Sequence, residues 1–156
     1  MPRRPRNYLP GGVFHITARG VDSSSIFVDD HDRSRFALYL EQTTNLWGWR
    51  VIAWCLMSTH YHLVIRAERE QMSLAVHRLN CLYAMYFNRR YDRRGHLFEN
   101  RFSSWVVQDD EHLANTVEYV LNNPVNAGLC AEACEWLWSW PRLPAALAST
   151  LPATAA

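Results

Sequence analysis

The chain of 156 residues contains no lysine, and all 16 of its basic residues are arginine. It also has no run of about 18 consecutive apolar residues, so we expect no membrane-spanning helix. Its basic start, Met1–Arg6, is not followed by the apolar segment that a secretory signal peptide requires. With 49% hydrophobic residues, the chain is long enough to bury a core of its own. These features predict a single globular domain located in the cytoplasm.

Only four cysteines are present, and none has the Cys-x-x-Cys spacing of zinc or redox sites. Cys130 and Cys134 are separated by three residues. Cys55 falls in an apolar segment and Cys81 in a helical pattern, and both are predicted to be packed thiols. We therefore expect neither a zinc knuckle nor a disulfide framework.

The net charge is only +1, so the total charge does not indicate a nucleic-acid-binding protein. The arginines are nevertheless unevenly distributed, with one group before the first acidic residue and another between residues 89 and 101. Local basic patches on a nearly neutral protein are typical of a phosphate-binding face, although ordinary solvated surface charge gives the same pattern. The residues predicted to contact phosphates are Arg3, Arg4 and Arg6, as a mobile arm, together with Arg19 and Arg101.

Hydrophobic periodicity predicts a β-α-β-β-α-β-α order of elements. The predicted strands cover 13–19, 49–57, 60–66 and 97–107, and the predicted helices cover 30–45, 71–90 and 109–122. Pro124 is expected to end the last helix. This order is typical of an α+β protein with the ferredoxin-like split β-α-β fold, whose sheet is antiparallel, plus a C-terminal helix. The domain is predicted to cover 11–140, between a flexible basic arm at 1–10 and a Pro/Ala-rich tail at 141–156.

Two histidines flank one tyrosine in an apolar stretch: His60, Tyr61 and His62. Residues two apart in a β-strand point to the same face, so His60 and His62 would present two imidazoles side by side. One histidine on an apolar strand is usually a hydrogen-bonded core residue, but two on the same face would each need a separate partner. The spacing therefore favours half of a metal site, with coordination positions left open for a catalytic metal. Tyr61 would project to the opposite face of the sheet.

The last predicted helix has an apolar stripe and an opposite polar face. The stripe consists of Leu113, Val117, Val120 and Leu121. Tyr119 lies two positions from both Val117 and Leu121 and therefore points away from the stripe. Asn123, one turn further on, can offer a carbonyl oxygen to a metal or a substrate. Because the residue before a proline is displaced from helical geometry, the direction of Asn123 stays open at this point.

A tyrosine near a metal bound by two histidines suggests phosphoryl transfer. A phenol is a poor nucleophile at its ordinary pKa of about 10, and a neighbouring cation favours the phenolate. The same cation polarises the phosphoryl oxygen under attack. Attack gives a covalent phosphotyrosine that conserves the bond energy for rejoining. This is the chemistry of DNA strand transfer without ATP.

With these motifs the sequence resembles the single-tyrosine transposases of the His-hydrophobic-His (HUH) type. The similarity is greatest to the REP-associated tyrosine transposases, which accompany repetitive extragenic palindromes in bacterial genomes. It covers residues 8–140, which is most of the chain. The matching stretches are 12–20, 55–63, 86–88, 95–98 with 101–102, and 119–129.

The resemblance implies that His60 and His62 are the paired metal ligands, that Asn123 is the third ligand and that Tyr119 is the nucleophile. It implies a divalent cation, Mg²⁺ or Mn²⁺. Imidazole pairs favour transition metals whereas Mg²⁺ prefers oxygen, so Mn²⁺ is a reasonable compromise. The substrate would be single-stranded DNA folded into imperfect hairpins, and the products a 5′-phosphotyrosine link and a free 3′-hydroxyl. Relatives occur as monomers and as homodimers that share active sites.

The sequence departs from the family pattern at two places. Ser58 and Thr59 stand where the family often has Pro-Asn, and Asn126 stands where it often has an arginine that could contact phosphate. Neither departure removes a predicted ligand or the nucleophile. His15 and His96 lie in family-like stretches, and contact with DNA, support of a ligand and a structural role all stay open for them.

Two other functions compete with a metal-dependent DNA endonuclease and strand transferase. The first is a domesticated hairpin-DNA-binding protein of the same fold with little or no cleavage activity. The second is an RNA-binding ferredoxin-like module, which would need surface aromatic residues on the two central strands. The intact set of His60, His62, Tyr119 and Asn123 favours the enzyme.

Overall fold

A computed structural model describes residues 11–141 of the chain. The predicted basic arm, with Arg3, Arg4 and Arg6, therefore lies outside the described residues, as does the predicted tail beyond Pro141. Within the described part, no helix has both the length and the apolar character needed to cross a membrane.

The described chain alternates strands and helices in the predicted order. In chain order the elements are β1 (Gly12–Arg19), α1 (Asp30–Trp47), β2 (Arg50–Leu56), β3 (His60–Ala67), α2 (Arg69–Arg90), β4 (Ser103–Val107), α3 (Asp110–Asn126) and β5 (Ser139–Trp140). Local signals set several ends. The Asp29 side chain accepts a hydrogen bond from the backbone N–H of Asp32 and caps α1. Gly48, with φ 65°, ends that helix in the left-handed conformation that glycine favours.

The strands form one antiparallel sheet in the order β4-β1-β3-β2-β5. The two central strands, β1 and β3, pair so that Thr17 lies opposite His62 and Arg19 opposite His60. The first four strands and their two helices make the ferredoxin-like split pattern, so the predicted α+β fold is confirmed. Strand β5, which the sequence patterns did not predict, adds to the outer edge of β2.

The alternation of side chains divides the sheet into two buried faces. On one face Tyr61, Leu63 and Ile65 of β3 pack in the main core with α1 and α2. On the other face Val64 packs in a smaller core with Val117 of α3. Because α3 packs mainly against β2, it leaves the ends of β1 and β3 open beside it. His60 and His62 lie on this second face, next to α3.

A buried carboxylate joins the two helices of the main layer. Asp32 of α1 is fully buried and accepts hydrogen bonds from the hydroxyls of Tyr86 and Tyr91 at 2.9 and 2.7 Å. Arg90, at the end of α2, lies 2.6 Å from the same carboxylate. A buried charge is tolerated only when it is paired and hydrogen-bonded, and this network meets both conditions.

The predicted strand over 97–107 is wrong in its first half. Regular pairing covers only Ser103–Val107, although the chain also touches the sheet earlier through a bridge between Gly20 and Phe98. Between the buried side chains of Leu97 and Phe102, residues 99–101 are exposed. Two apolar anchors thus hold a polar segment that bulges outward, because its charged and amide side chains gain nothing from burial.

The predicted end of the last helix at Pro124 is also wrong, since α3 continues to Asn126. A proline inside a helix lacks its own N–H donor and crowds the carbonyl one turn earlier, but it leaves the donors of later residues available. Pro124 is buried, and the later donors are still satisfied: Ala127 donates to the carbonyl of Asn123 and Leu129 to that of Pro124. Asn123 therefore stays within the helix, which determines the direction of its side chain.

Candidate active site

Strand β3 presents its two histidines to the same face, as their spacing predicts. The rings of His60 and His62 have centroids 5.1 Å apart and are nearly perpendicular, at 86°. Tyr61 points the other way and is fully buried, with its hydroxyl donating to Oδ1 of Asn80 at 2.7 Å. The prediction that Tyr61 projects to the opposite face is therefore confirmed.

Helix α3 brings Tyr119 and Asn123 to these histidines. Its apolar residues Val117, Val120 and Leu121 are buried in the smaller core, which directs the opposite side of the helix away from that core. Tyr119 and Asn123, one turn apart, both line a cleft with the two histidines. The Tyr119 ring lies edge-on to that of His62, with centroids 5.7 Å apart.

The amide of Asn123 bridges the two imidazoles. Its Oδ1 lies 3.3 Å from Nε2 of His60, and its Nδ2 lies 3.2 Å from Nε2 of His62. Three potential metal-binding atoms, two imidazole nitrogens and one amide oxygen, thus converge from elements about sixty residues apart in sequence. The structure brings together every residue predicted to bind metal, and the predicted nucleophile lies beside them.

His15 of β1 contacts His62 at the ring nitrogen that does not face Asn123. Its Nε2 lies 2.9 Å from Nδ1 of His62, and the two rings stack with centroids 5.2 Å apart. An amide nitrogen can only donate, so Nε2 of His62 accepts from Asn123 and its ring proton sits on Nδ1, donating to His15. The sequence left three roles open for His15, and its contact with His62 favours support of a ligand.

Thr59 has the corresponding position beside His60, with its Oγ1 3.0 Å from Nδ1 of that ring. In the present hydrogen-bond pattern Nε2 of His60 donates to Asn123 and Nδ1 accepts from the threonine hydroxyl. A hydroxyl can also accept, so the proton can move to Nδ1 and leave Nε2 free to bind a cation. Thr59 therefore suits either tautomer of His60.

The site keeps its imidazoles uncharged. Burial, with smaller contributions from His15, His60 and Arg19, lowers the pKa of His62 to about 3. Burial, with a smaller contribution from His112, lowers the pKa of His15 to about 4. Burial and Arg19 also lower the pKa of His60. At neutral pH all three rings are neutral, which is the state that metal ligation requires.

The cleft in front of these residues has a volume of about 440 Å³. Arg19 and Arg101, the two predicted phosphate contacts within the described residues, both line it. So does Trp105 on the edge strand β4, which is 51% exposed and has its ring centroid 5.3 Å from that of His15. Sequence reasoning missed Trp105. The sequence feature that could have indicated Trp105 is a bulky aromatic residue directly after two serines in a short strand.

The donor set fits a divalent cation. Among residues 11–141 no group of three or more His, Cys, Asp and Glu side chains could hold a metal. Two neutral imidazoles with an amide oxygen are instead the candidate ligands. Such a mixed nitrogen and oxygen set suits Mn²⁺ or another transition metal better than Mg²⁺, which prefers oxygen alone.

Three comparisons with known proteins bear on the fold and the family. A family model described as "Transposase IS200 like" matches residues 12–123. A protein of Haemophilus influenzae described as a REP-associated tyrosine transposase is 23% identical in an alignment 146 residues long, which covers 86% of this chain and 82% of that protein. A solved structure of a REP-associated tyrosine transposase bound to a REP hairpin has a TM-score of 0.72 at 16% identity, over 89% of this chain and 82% of that chain.

Proposed function

This chain belongs to the family of IS200-like transposases, and from that premise we propose that it is a metal-dependent single-tyrosine endonuclease and strand transferase acting on hairpin DNA. One observation carries the proposal. The amide of Asn123 spans Nε2 of His60 and Nε2 of His62, while the Tyr119 ring rests against His62. A core packing role explains neither the open cleft beside these groups nor the half-exposed phenol.

The substrate class rests on the relative and on the charge of the cleft. The solved relative is bound to a REP hairpin, and we extend that ligand class to this chain. Arg19 and Arg101 line the cleft, where their guanidinium groups can hold the phosphates on either side of a cleaved bond. Single-stranded DNA that leaves the foot of a hairpin is therefore the proposed substrate.

Nε2 of His60, Nε2 of His62 and Oδ1 of Asn123 would hold the cation, Mg²⁺ or Mn²⁺. When bound, the cation would polarise the phosphoryl oxygen and favour the phenolate of a neighbouring tyrosine. His15 keeps the proton of His62 on Nδ1, and Thr59 can accept a proton placed on Nδ1 of His60. These outer contacts orient both rings so that Nε2 faces the cleft.

Tyr119 supplies the nucleophile. Its Oη attacks the phosphorus, the bond between phosphorus and the 3′-oxygen breaks, and the departing oxygen takes a proton to become a free 3′-hydroxyl. The phenolic proton is lost to solvent, which reaches the 52% exposed Tyr119. Attack by another 3′-hydroxyl on the phosphotyrosine then reverses the step and joins a new strand. The reaction conserves one phosphodiester bond, so it needs no ATP.

Trp105 provides a stacking surface in the same cleft. An indole that is half exposed in the cleft that Tyr119 also lines can stack on the base next to the cleaved phosphate, and such stacking contributes about 1–3 kcal/mol per base. We expect Trp105→Ala to weaken binding of a flanked hairpin by about 5- to 150-fold, measured by fluorescence anisotropy at fixed salt.

Trp140 is the matched control for this substitution. It is 46% exposed and also lies on an edge strand, but at the other side of the sheet and outside the cleft. Trp140→Ala should leave the affinity for DNA unchanged. Equal losses in the two variants would show that the effect is general destabilisation and not stacking in the cleft.

The proposed function is tested with labelled single strands that carry a hairpin. The strands are incubated with the protein and Mn²⁺ or Mg²⁺ and then separated in denaturant. The enzyme should yield a denaturant-resistant protein–DNA adduct and a shortened strand with a 3′-hydroxyl, and EDTA should prevent both. Tight hairpin binding without any adduct in either metal would favour the domesticated binding protein instead.

A further inference from the structure

A second cavity lies on the opposite side of the segment that borders the cleft. It has a volume of about 670 Å³, within the range of pockets that enclose small ligands. We call it the α2 groove. Its walls are the helix residues Ser73, Leu74, His77, Asn80, Cys81 and Ala84, and the segment 95–102.

The cleft and the α2 groove share a three-residue border. Glu99, Asn100 and Arg101 line both cavities, and all three are exposed. These are the residues that bulge outward between the buried Leu97 and Phe102. A DNA strand that leaves the cleft across these three residues therefore enters the α2 groove next.

The walls of the α2 groove combine apolar and hydrogen-bonding groups. Leu74 and Phe98 supply apolar and aromatic surface above the buried Leu97 and Phe102. His77, His96 and Arg101 supply polar rings and a cation. Glu99 is the one carboxylate among the described residues that line it. Unstacked bases are typically held by aromatic surfaces together with imidazole, amide and guanidinium groups.

A hydrogen bond orients the amide of Asn80, which could contact a base in the groove. Its Oδ1 accepts from the hydroxyl of Tyr61, the residue between the two histidines of the candidate site. The amide nitrogen, which can only donate, is left for a ligand in the groove. Strand β3 therefore orients groups in both cavities: its histidines on one face and, through Tyr61, an amide on the other.

We propose that the α2 groove binds the bases of the single-stranded DNA segment next to the cleaved phosphate, so that it contributes to the choice of flanking sequence. The proposal rests on the proposed function, because it takes the strand in the cleft as its starting point. Continuity with the cleft favours this occupant over a second copy of the chain or a peptide. Leu74, which is 63% exposed, would then cover a base and not a protein surface.

Cys81 allows a direct test, because this thiol, predicted to be packed, is exposed in the α2 groove. In a Tyr119→Phe background with Cys130→Ser and Cys134→Ser, hairpins are prepared with a disulfide-forming tether on one base at a time. We expect cross-linking to Cys81 to peak at neighbouring positions in the single-stranded flank and to be absent from the stem. Cys81→Ser should remove that peak. Uniform cross-linking along the DNA, or none while the hairpin still binds, would overturn the proposal.

A pair of matched substitutions gives a second measurement. Leu74 and Met85 are both 63% exposed on α2, but only Leu74 lines the groove. Leu74→Glu should weaken binding of a flanked hairpin by about tenfold without affecting a hairpin trimmed to its stem and loop, and Met85→Glu should affect neither. Equal effects of the two variants, or a change in oligomeric state in place of DNA affinity, would argue against a DNA site.

The two proposals can fail separately. A position-specific cross-link in a protein that forms no covalent adduct with wild-type Tyr119 would support the α2 groove and refute the strand-transfer function. A protein that forms the adduct but shows no position-specific cross-link would support the strand-transfer function and refute the α2 groove as a DNA site.

Discussion

Replacing Tyr119 with phenylalanine should abolish the covalent protein–DNA adduct while the hairpin remains bound. The substitution removes only the hydroxyl, so the ring keeps its edge-on contacts with His62 and His15 at 5.7 and 6.0 Å. Binding and folding should therefore survive. Loss of a nucleophile that acts as a unit with its partners lowers the rate by on the order of 10³-fold or more. The measurement is the yield of adduct in denaturing gels, with hairpin affinity determined in parallel.

Tyr39→Phe is the control for this experiment. Tyr39 is a partly buried tyrosine on α1, outside the cleft, so the loss of its hydroxyl should leave adduct formation intact. Tyr61 is less suitable, since its buried hydroxyl holds Asn80 and its loss would disturb the fold. Mass spectrometry of the digested adduct should place the nucleotide on the peptide that contains Tyr119. An adduct that persists in Tyr119→Phe would refute the assignment of the nucleophile.

Local periodicity was sufficient to predict which side chains share a face. The spacing of two residues between His60 and His62 places both rings on one side of β3, and that side is the one next to α3. The spacing of four between Tyr119 and Asn123 places both on one side of α3. The ferredoxin-like order followed from the alternation of strand and helix patterns. The resemblance to REP-associated tyrosine transposases is confirmed by the family model and the relatives, while the roles of the individual residues stay predictions.

Contacts between distant segments could not be predicted in this way. His15 reaches His62 because β1 pairs with β3 in a register that no local pattern specifies. Trp105 enters the cleft because β4 pairs with the other edge of β1. Residues 99–101 are exposed because the flanking Leu97 and Phe102 are buried in the main core. Which apolar residues are buried depends on the whole fold and not on the local sequence. Pro124 misled the prediction because its burial and the later hydrogen bonds outweigh the lost donor.

Replacing His60 with alanine should remove most of the metal-dependent activity. The variant deletes one of the three converging ligand atoms, yet it keeps the more deeply buried His62 in contact with His15 and Asn123. A cation contributes several kcal/mol to stabilising the reacting phosphate, so adduct formation at limiting Mn²⁺ should fall by about 10²- to 10⁴-fold. High Mn²⁺ should restore part of the rate. Titration calorimetry with Mn²⁺ alone should show weakened binding to the variant.

His31→Ala is the matched control, because His31 is an exposed histidine on α1 outside the cleft. It should change neither Mn²⁺ affinity nor adduct formation. If His60→Ala kept both the Mn²⁺ affinity and the metal dependence of the wild type, the proposed ligand set would be wrong. If it lost activity but not Mn²⁺ affinity, His60 would contact the DNA and not the metal.

Mixing two inactive variants tests whether one chain supplies the whole site. In this structure Tyr119 and the histidines meet within a single copy, with the Tyr119 and His62 rings 5.7 Å apart. A mixture of Tyr119→Phe and His60→Ala should therefore form no more adduct than His60→Ala alone. In a homodimer that exchanges the helix carrying the tyrosine, one of the two composite sites would contain neither substitution, and activity would return. Recovery of adduct in the mixture would mean that α3 acts on the partner's histidines, although the contacts within this chain favour action in cis.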